Sequence, residues 1–289
     1  QLAGKELSYN NLNDAAGAVT ATADLAQAFA GRVGAAVIKH TNPCGLAVAE
    51  SAVKAVQLAL AGDPLAAYGG ILSLNTAMDD AAAEWLASNA PFFEVIVAPG
   101  FSQRAVLVLS ERWKNVRLLE AAMRDKGTPP ALRVKSIPGG MLVQSADDAL
   151  TPSSQWEHAA GPAPDTDTLE SAELVWMACK HLTSNAVAIG GFDTQLEGVR
   201  LFGGGAGQMD RVASCELAIR KAGDLSRIRM PIASSDAFFP FADGPEKLIE
   251  AGVKVLVHPG GSKRDEDTIK LCNEQGVTCL LTGVRHFRH

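Results

Sequence analysis

Residues 12–38 read LNDAAGAVTATADLAQAFAGRVGAAVI. Apolar side chains at Leu12, Ala16, Val19, Ala23, Ala26 and Phe29 recur every three or four positions, the spacing of one helix face. The run Ala35-Ala36-Val37-Ile38 that follows is short, continuous and apolar, as a strand buried on both faces is. The stretch therefore predicts a helix feeding a buried strand, and the alternation continues outward. An Ala-rich helix is expected around residues 47–61, a strand over 70–74, a helix near 79–87 and a strand at Val95-Ile96-Val97. Residues 151–167 are rich in Pro, Ser, Gly and Asp without a period and read as a linker. Asp167 with Glu170 three positions on resembles a capping box opening a helix over 169–182. Strands at 186–189, 231–233, 253–257 and 277–281 then alternate with helices, the first followed by a Gly-rich turn. The class is α/β, with a mostly parallel sheet covered on both faces.

With 289 residues, 47% hydrophobic and 20% charged, the chain can fill one or two cores. No run approaches the roughly 18 apolar residues of a membrane span, and no leader is legible, so a cytoplasmic protein without membrane contact is expected. The five cysteines are scattered and include no C-x-x-C pair, which signals neither a disulfide framework nor a zinc site. A net charge of −6 argues against nucleic acid. The chain opens with Gln1, which reads as the start of a fragment.

Five segments can carry chemistry. In Lys39-His40-Thr41-Asn42-Pro43-Cys44-Gly45 a strand ends on two polar side chains, where open α/β sheets bind ligands. His40 suits a general base and Lys39 a cation for developing negative charge, although spacing alone favours a solvated Lys and a turn-capping His. Cys44 is either a nucleophile or an inert thiol. Gly203-Gly204-Gly205-Ala206-Gly207 permits close ligand approach ahead of a helix but lacks a P-loop ending. Pro259-Gly260-Gly261-Ser262-Lys263-Arg264-Asp265 reads as an anion nest or a solvated turn. Phe238, Phe239 and Phe241 surround Pro240 between Asp236 and Asp243, either core aromatics or flat faces beside a carboxylate for a heterocycle. The tail Arg285-His286-Phe287-Arg288-His289 follows an apolar run and suits a phosphate. Lys39-His40 and Lys180-His181, each soon followed by Asn, give a faint internal echo.

Together with Leu2-Ala3-Gly4-Lys5-Glu6-Leu7-Ser8-Tyr9-Asn10-Asn11, Tyr68-Gly69-Gly70-Ile71 and Ser184-Asn185-Ala186, these segments resemble the AICAR transformylase family in wording and order, over essentially the whole chain. The resemblance implies two cytidine-deaminase-like three-layer subdomains, residues 1–150 and 168–289, joined by the linker 151–167. It implies transfer of a formyl group from 10-formyltetrahydrofolate to the 5-amino group of aminoimidazole carboxamide ribotide (AICAR), in purine biosynthesis. Lys39, His40 and Asn185 fall on catalytic positions. Gly69, Glu94, Arg211, Arg285, Phe287 and His289 fall on ribotide positions, and Tyr68, Val212, Phe238, Pro240, Phe241 and Asp243 on folate positions. No zinc is implied; a monovalent cation near Thr183 and Asp236 is a further candidate. The family implies a homodimer with sites shared between subunits.

The family carries an Arg-Tyr-Gly-x-Asn-Pro-His-Gln segment and a cyclohydrolase domain upstream of Leu2, which this sequence does not contain. Thr183 stands where relatives have Lys, and Asp210 where a small polar residue is common; both are expected to weaken anion binding slightly. Two other readings compete: a ligand-binding homologue or fragment with weak turnover, and an amidohydrolase using Cys44 with His40.

Overall fold

The computed structural model describes residues 1–122 and 132–289. Helix α1 (Tyr9–Ala28) opens on a reciprocal cap: the Asn11 N–H donates to Ser8 Oγ at 3.2 Å and the Ser8 N–H to Asn11 Oδ1 at 3.1 Å. It buries Ala15, Ala18, Ala21, Thr22 and Leu25, while Leu12 is exposed. The helix expected from residues 12–29 is present, but the buried stripe is another one. So much alanine puts small apolar groups on several sides, and the side chosen lets Thr22 Oγ1 meet Ser73 Oγ at 2.9 Å.

β1 (Val33–Lys39) turns back at His40-Thr41 into β2 (Asn42–Ala49). The helix expected from residue 47 therefore begins later, as α2 (Ala52–Leu60), capped by Ser51. An apolar run such as Leu46-Ala47-Val48-Ala49 fits strand or helix equally, and pairing with β1 decides it. There follow α3 (Pro64–Ala67), β3 (Gly70–Leu74), α4 (Asp80–Asn89), β4 (Phe93–Ala98), α5 (Gln103–Arg112) and β5 (Arg117–Glu120). β6 (Leu132–Ile137) and β7 (Gly140–Ser145) form a separate hairpin.

The expected linker contains an edge strand, β8 (Glu157–Ala160). Asp165, not Asp167, caps α6 (Thr166–Lys180), its carboxylate accepting the Thr168 N–H at 2.8 Å. The chain continues through β9 (Val187–Asp193), β10 (Gly198–Gly205), α7 (Arg211–Ala222), β11 (Ile232–Ser235), α8 (Asp243–Glu250), β12 (Val255–His258), α9 (Asp265–Gln275) and β13 (Thr278–Leu281). Among the described residues no helix is long and apolar enough to cross a membrane.

One sheet takes the order β5-β4-β3-β1-β2-β10-β9-β11-β12-β13-β8. Parallel pairing is confined to β3–β4, β4–β5, β11–β12 and β12–β13; the other neighbours run antiparallel, so the sheet is mixed rather than mostly parallel. A strand buried on both faces shows the same apolar run whichever way its neighbours point. The series β2-β1-β3-β4-β5 recurs as β10-β9-β11-β12-β13, with the same pairing senses, and the halves meet where Val48 faces Val199 and Ala47 faces Arg200. The Lys-His echo is no part of this repeat, because Lys39-His40 ends a strand and Lys180-His181 ends a helix.

Alternate strand residues serve the two faces. Leu25, Ala36, Leu46, Val175, Trp176 and Ile232 pack one core under α1 and α6. On the opposite face Val37, Leu58, Leu72, Leu86 and Phe93 form the core of the first half, and Val187, Cys215, Leu256 and Cys279 that of the second.

Candidate functional site at one end of the sheet

The register brings the singled-out segments to a single edge. Ile38 faces Ile71, and Val187 faces both Gly205 and Ser235. The ends of β1, β10, β11, β12 and β13 therefore lie with the beginnings of β2, β3, β4 and β9. Along that edge come Glu94, Tyr68 and Gly69, then Lys39 and His40, then Arg211 and Asn185, then residues 238–243, with the tail crossing back to Thr41 and Ser184. From β4 to β11 is six strand spacings, about 29 Å.

At the first of two clusters, Lys39 Nζ donates to the Tyr68 carbonyl at 2.5 Å. His40 and Thr41 both adopt positive φ, +52° and +63°, and Asp14 accepts their N–H groups at 3.0 and 2.8 Å. Asn42 Nδ2 donates to the His40 carbonyl at 3.0 Å. This motif is a tight hairpin between antiparallel strands, not a loop past a parallel strand, and the imidazole of His40 is exposed.

The second cluster surrounds Arg211, whose guanidinium donates to Asn185 Oδ1 at 2.8 Å, Ser235 Oγ at 2.7 Å and Asp236 Oδ1 at 2.6 Å. Asp236 is wholly buried and also accepts the Ala186 N–H at 3.1 Å and the Ser184 hydroxyl at 2.5 Å. Its oxygens are thus committed to protein donors, and among the described residues no group of three or more His, Cys, Asp or Glu could hold a metal ion. Asp210, expected to weaken anion binding slightly, caps α7 through the Ala213 N–H at 2.8 Å.

Two links join the clusters across the halves. The Thr183 N–H donates to Asn42 Oδ1 at 2.8 Å, and Arg288 Nη1 donates to the Thr41 carbonyl at 2.5 Å and to the His181 carbonyl. Arg288 also pairs with Ser184 through its main chain, at 2.9 and 3.1 Å. Burial pulls the Arg288 guanidinium below the usual arginine range, with the Asp14 carboxylate opposing. Beneath, Asp24 accepts from Lys180 Nζ and pairs with His181 Nε2, both at 2.9 Å. Burial lowers the His181 pKa against the pull of Asp24.

The remaining candidates lie around this centre, and of them the Tyr68 carbonyl meets Lys39. Glu94 pairs with Arg117 at 2.6 Å, Gly69 takes φ +69°, and the exposed ring of Tyr68 meets Phe92 edge-on at 6.3 Å. Phe238 and Phe241 are exposed on the way to α8, as is Pro240, whereas Phe239 is core and meets His258 at 5.5 Å. Asp243 stands in the first turn of α8 and Val212 in that of α7. Arg285 lies over the Phe287 ring at 5.0 Å, and that ring meets His289 at 5.8 Å. No ring contact or hydrogen bond joins Tyr68 to 238–243 among the described residues.

One reading changes and two that were open narrow. The Gly203-Gly204-Gly205 run is strand β10, not a turn: a Cβ on Gly203 would lie 2.6 Å from the Ala218 carbonyl oxygen and one on Gly205 2.0 Å from that of Ser214, so these glycines admit α7 rather than a ligand. The nest at Gly261 and Ser262 is filled by Asp265, which accepts their N–H groups at 2.6 and 3.0 Å. Burial pushes the Cys44 thiol up to about 12, and its S–H points at the Val37 carbonyl at 3.4 Å, which removes the thiolate an amidohydrolase needs. Asp14 escaped the sequence reading of the site, and Ser184 and Arg288 entered it only as parts of a motif and a tail. An Asp inside an Ala-rich helix gives no signal of the turn it braces, and Arg288 was legible only as tail charge.

A model described as the AICARFT/IMPCHase bienzyme matches residues 1–221, which takes in the Lys39-His40 turn and, of the second cluster, Asn185 and Arg211. The chain is similar to proteins named bifunctional purine biosynthesis protein PurH. That of Rhodopirellula baltica is 43% identical over 294 residues, covering 100% of this chain and 53% of the relative. That of Nostoc sp. is 43% identical over 289 residues, covering 100% and 54%, and that of Synechocystis sp. 42% over 290 residues, covering 100% and 53%. The chain spans about half the length of the curated relatives it matches. On the extent of the family match, the chain belongs to the AICARFT/IMPCHase bienzyme family.

Proposed function

We propose that the chain is the formyltransferase part of such a protein, transferring formyl from 10-formyltetrahydrofolate to the 5-amino group of AICAR in the cytoplasm. The observation that carries this reading is the junction of the Lys39-His40 turn with the Asn185–Arg211 cluster at one sheet end, through Asn42, Thr183 and Arg288. His40 accepts the proton as the amine nitrogen bonds to the formyl carbon. Lys39 stabilises the oxyanion of the tetrahedral adduct, and Asn185, whose Nδ2 donates to the Gln208 and Met209 carbonyls at 3.0 and 3.2 Å, joins it by exchanging the longer of these bonds. His40 returns the proton to the departing N10 as its bond to the formyl carbon breaks, leaving formyl-AICAR and tetrahydrofolate. No covalent enzyme intermediate is needed. Arg211, Gly69, Glu94, Arg285, Phe287 and His289 serve the ribotide. The exposed rings of Phe238 and Phe241 and the Asp243 carboxylate offer flat faces and an acceptor to a pterin, with Tyr68, Val212 and Pro240 completing that side.

The working unit is a homodimer. A single chain spreads its ribotide and folate residues along some 29 Å of sheet edge (about six strand spacings), which favours sites completed by a second subunit. The β6–β7 hairpin adds support, since Leu132, Val134, Met141 and Val143 share one face of an exposed two-stranded ribbon, a form marginal by itself in water. The two repeated halves correspond to the two cytidine-deaminase-like subdomains. The test is tetrahydrofolate formation from 10-formyltetrahydrofolate by the full-length protein: formation only with AICAR present, and resistant to thiol alkylation, is expected. Formation without AICAR, or none at all, would overturn the reading.

A further inference from the structure

The turn that carries His40 is sterically unfavourable. It is a two-residue hairpin with both residues at positive φ, a conformation usually given to Asn-Gly, yet it holds His40 and the β-branched Thr41. Unaided, these side chains would bias the turn toward other conformers and move the imidazole.

The surroundings oppose that drift on both sides. From α1, the Asp14 carboxylate spans the turn, one oxygen on each of the His40 and Thr41 N–H groups at 3.0 and 2.8 Å. From the tail, Arg288 holds the Thr41 carbonyl at 2.5 Å while its main chain is paired with Ser184, beside Asn185. The His40 imidazole makes no hydrogen bond among the described residues, so its position is set by the backbone beneath it.

We propose that Asp14 and Arg288 are positioning residues, which hold the His40–Thr41 turn in its left-handed form and so aim His40 at the amine. This rests on the formyl-transfer reading for its kinetic readout but not for its spectroscopic one. Neither residue touches the reacting atoms. Asp14 fixes φ at the turn, and Arg288 fixes the turn's distance from Asn185.

The experiment uses the full-length protein and compares Asp14→Ala with Asp14→Ala/Thr41→Gly, because glycine adopts positive φ without a brace. Asp14→Ala should lower kcat about tenfold to a hundredfold, with the KM of both substrates changed less than about threefold, the pattern of a misplaced group. Thr41→Gly in that background should restore most of kcat. Arg288→Gln should lower kcat in the same way, and Thr41→Gly should rescue it less. In parallel, the isotope-labelled His40 ring should give one resonance in the unsubstituted protein, several in Asp14→Ala, and one again in the double variant. If the unsubstituted protein transfers no formyl group, the function reading fails while the resonances still decide the positioning claim. A kcat that Thr41→Gly does not restore in a folded double variant, or a His40 resonance indifferent to Asp14, would overturn the inference. Should Asp14→Ala not fold, Asp14→Asn replaces it with the same expectations, since it sets an NH2 donor against one of the two N–H groups where a carboxylate oxygen now accepts.

Discussion

At the scale of single residues, contacts between distant parts of the chain hold the site together: Thr183 with Asn42, and Arg288 with Thr41 and Ser184. Lys39, His40, Asn185 and Arg211 were legible as wording. Ser184 and Arg288 acquire their roles only when residues 104 positions apart meet, and no local pattern announces such a meeting. Asp243→Asn keeps the shape of the proposed pterin acceptor while adding donors. Folate binding, read by titration of fluorescence, should weaken by about 1–3 kcal/mol and ribotide binding should barely move; equal losses would make the residue structural. Arg285 has a ring beneath it and a guanidinium suited to a phosphate dianion. Arg285→Lys should therefore raise the ribotide KM nearly as far as Arg285→Ala does, and full recovery by lysine would remove the bidentate contact from the account.

At the scale of elements, helices and strands were read well where periodicity and burial agreed. They were misread where composition leaves the period open. Leu46-Ala47-Val48-Ala49 is one such case, and the glycine run in β10 is another, because close helix packing and close ligand approach ask for the same residue. A substitution separates those two meanings. Gly205→Ala would set a Cβ 2.0 Å from the Ser214 carbonyl oxygen and push α7, with Arg211 at its start, off the sheet. Unfolding in urea should show a loss of about 1–3 kcal/mol or more, with weaker ribotide binding. Gly207→Ala, at φ +68° with open space around it, should cost less, about 1 kcal/mol, through its conformation alone. Equal, small costs would mean that α7 tolerates the shift.

At the scale of the whole molecule, the sequence showed an α/β repeat but not its direction, since strand sense is set by connections and partners. Nor could it show that one sheet edge would gather every candidate segment. The fold also fixes a response to acid. Burial holds the His258 pKa down to about 4, its Nδ1 accepting the Gly260 N–H at 3.1 Å. A histidine whose folded pKa lies below the unfolded value near 6.5 must take up its proton on unfolding. Its contribution is present at neutral pH and is lost as pH falls from about 6.5 to about 4. Between pH 7 and pH 5 this group alone should remove about 2 kcal/mol of stability, and buried His181, lowered in the same direction, adds to the loss. Equilibrium unfolding at the two pH values should show a smaller drop in His258→Gln than in the unsubstituted protein.

His40, carried on the β1–β2 turn, is the proposed base of formyl transfer. The most direct measurement is the single-turnover rate of transfer from 10-formyltetrahydrofolate to AICAR in His40→Ala, with ribotide affinity measured on the same protein. The rate should fall by about two to four orders of magnitude with affinity changed less than about threefold. A rate equal to that of the unsubstituted protein would contradict this role and leave the sheet-end site without its base.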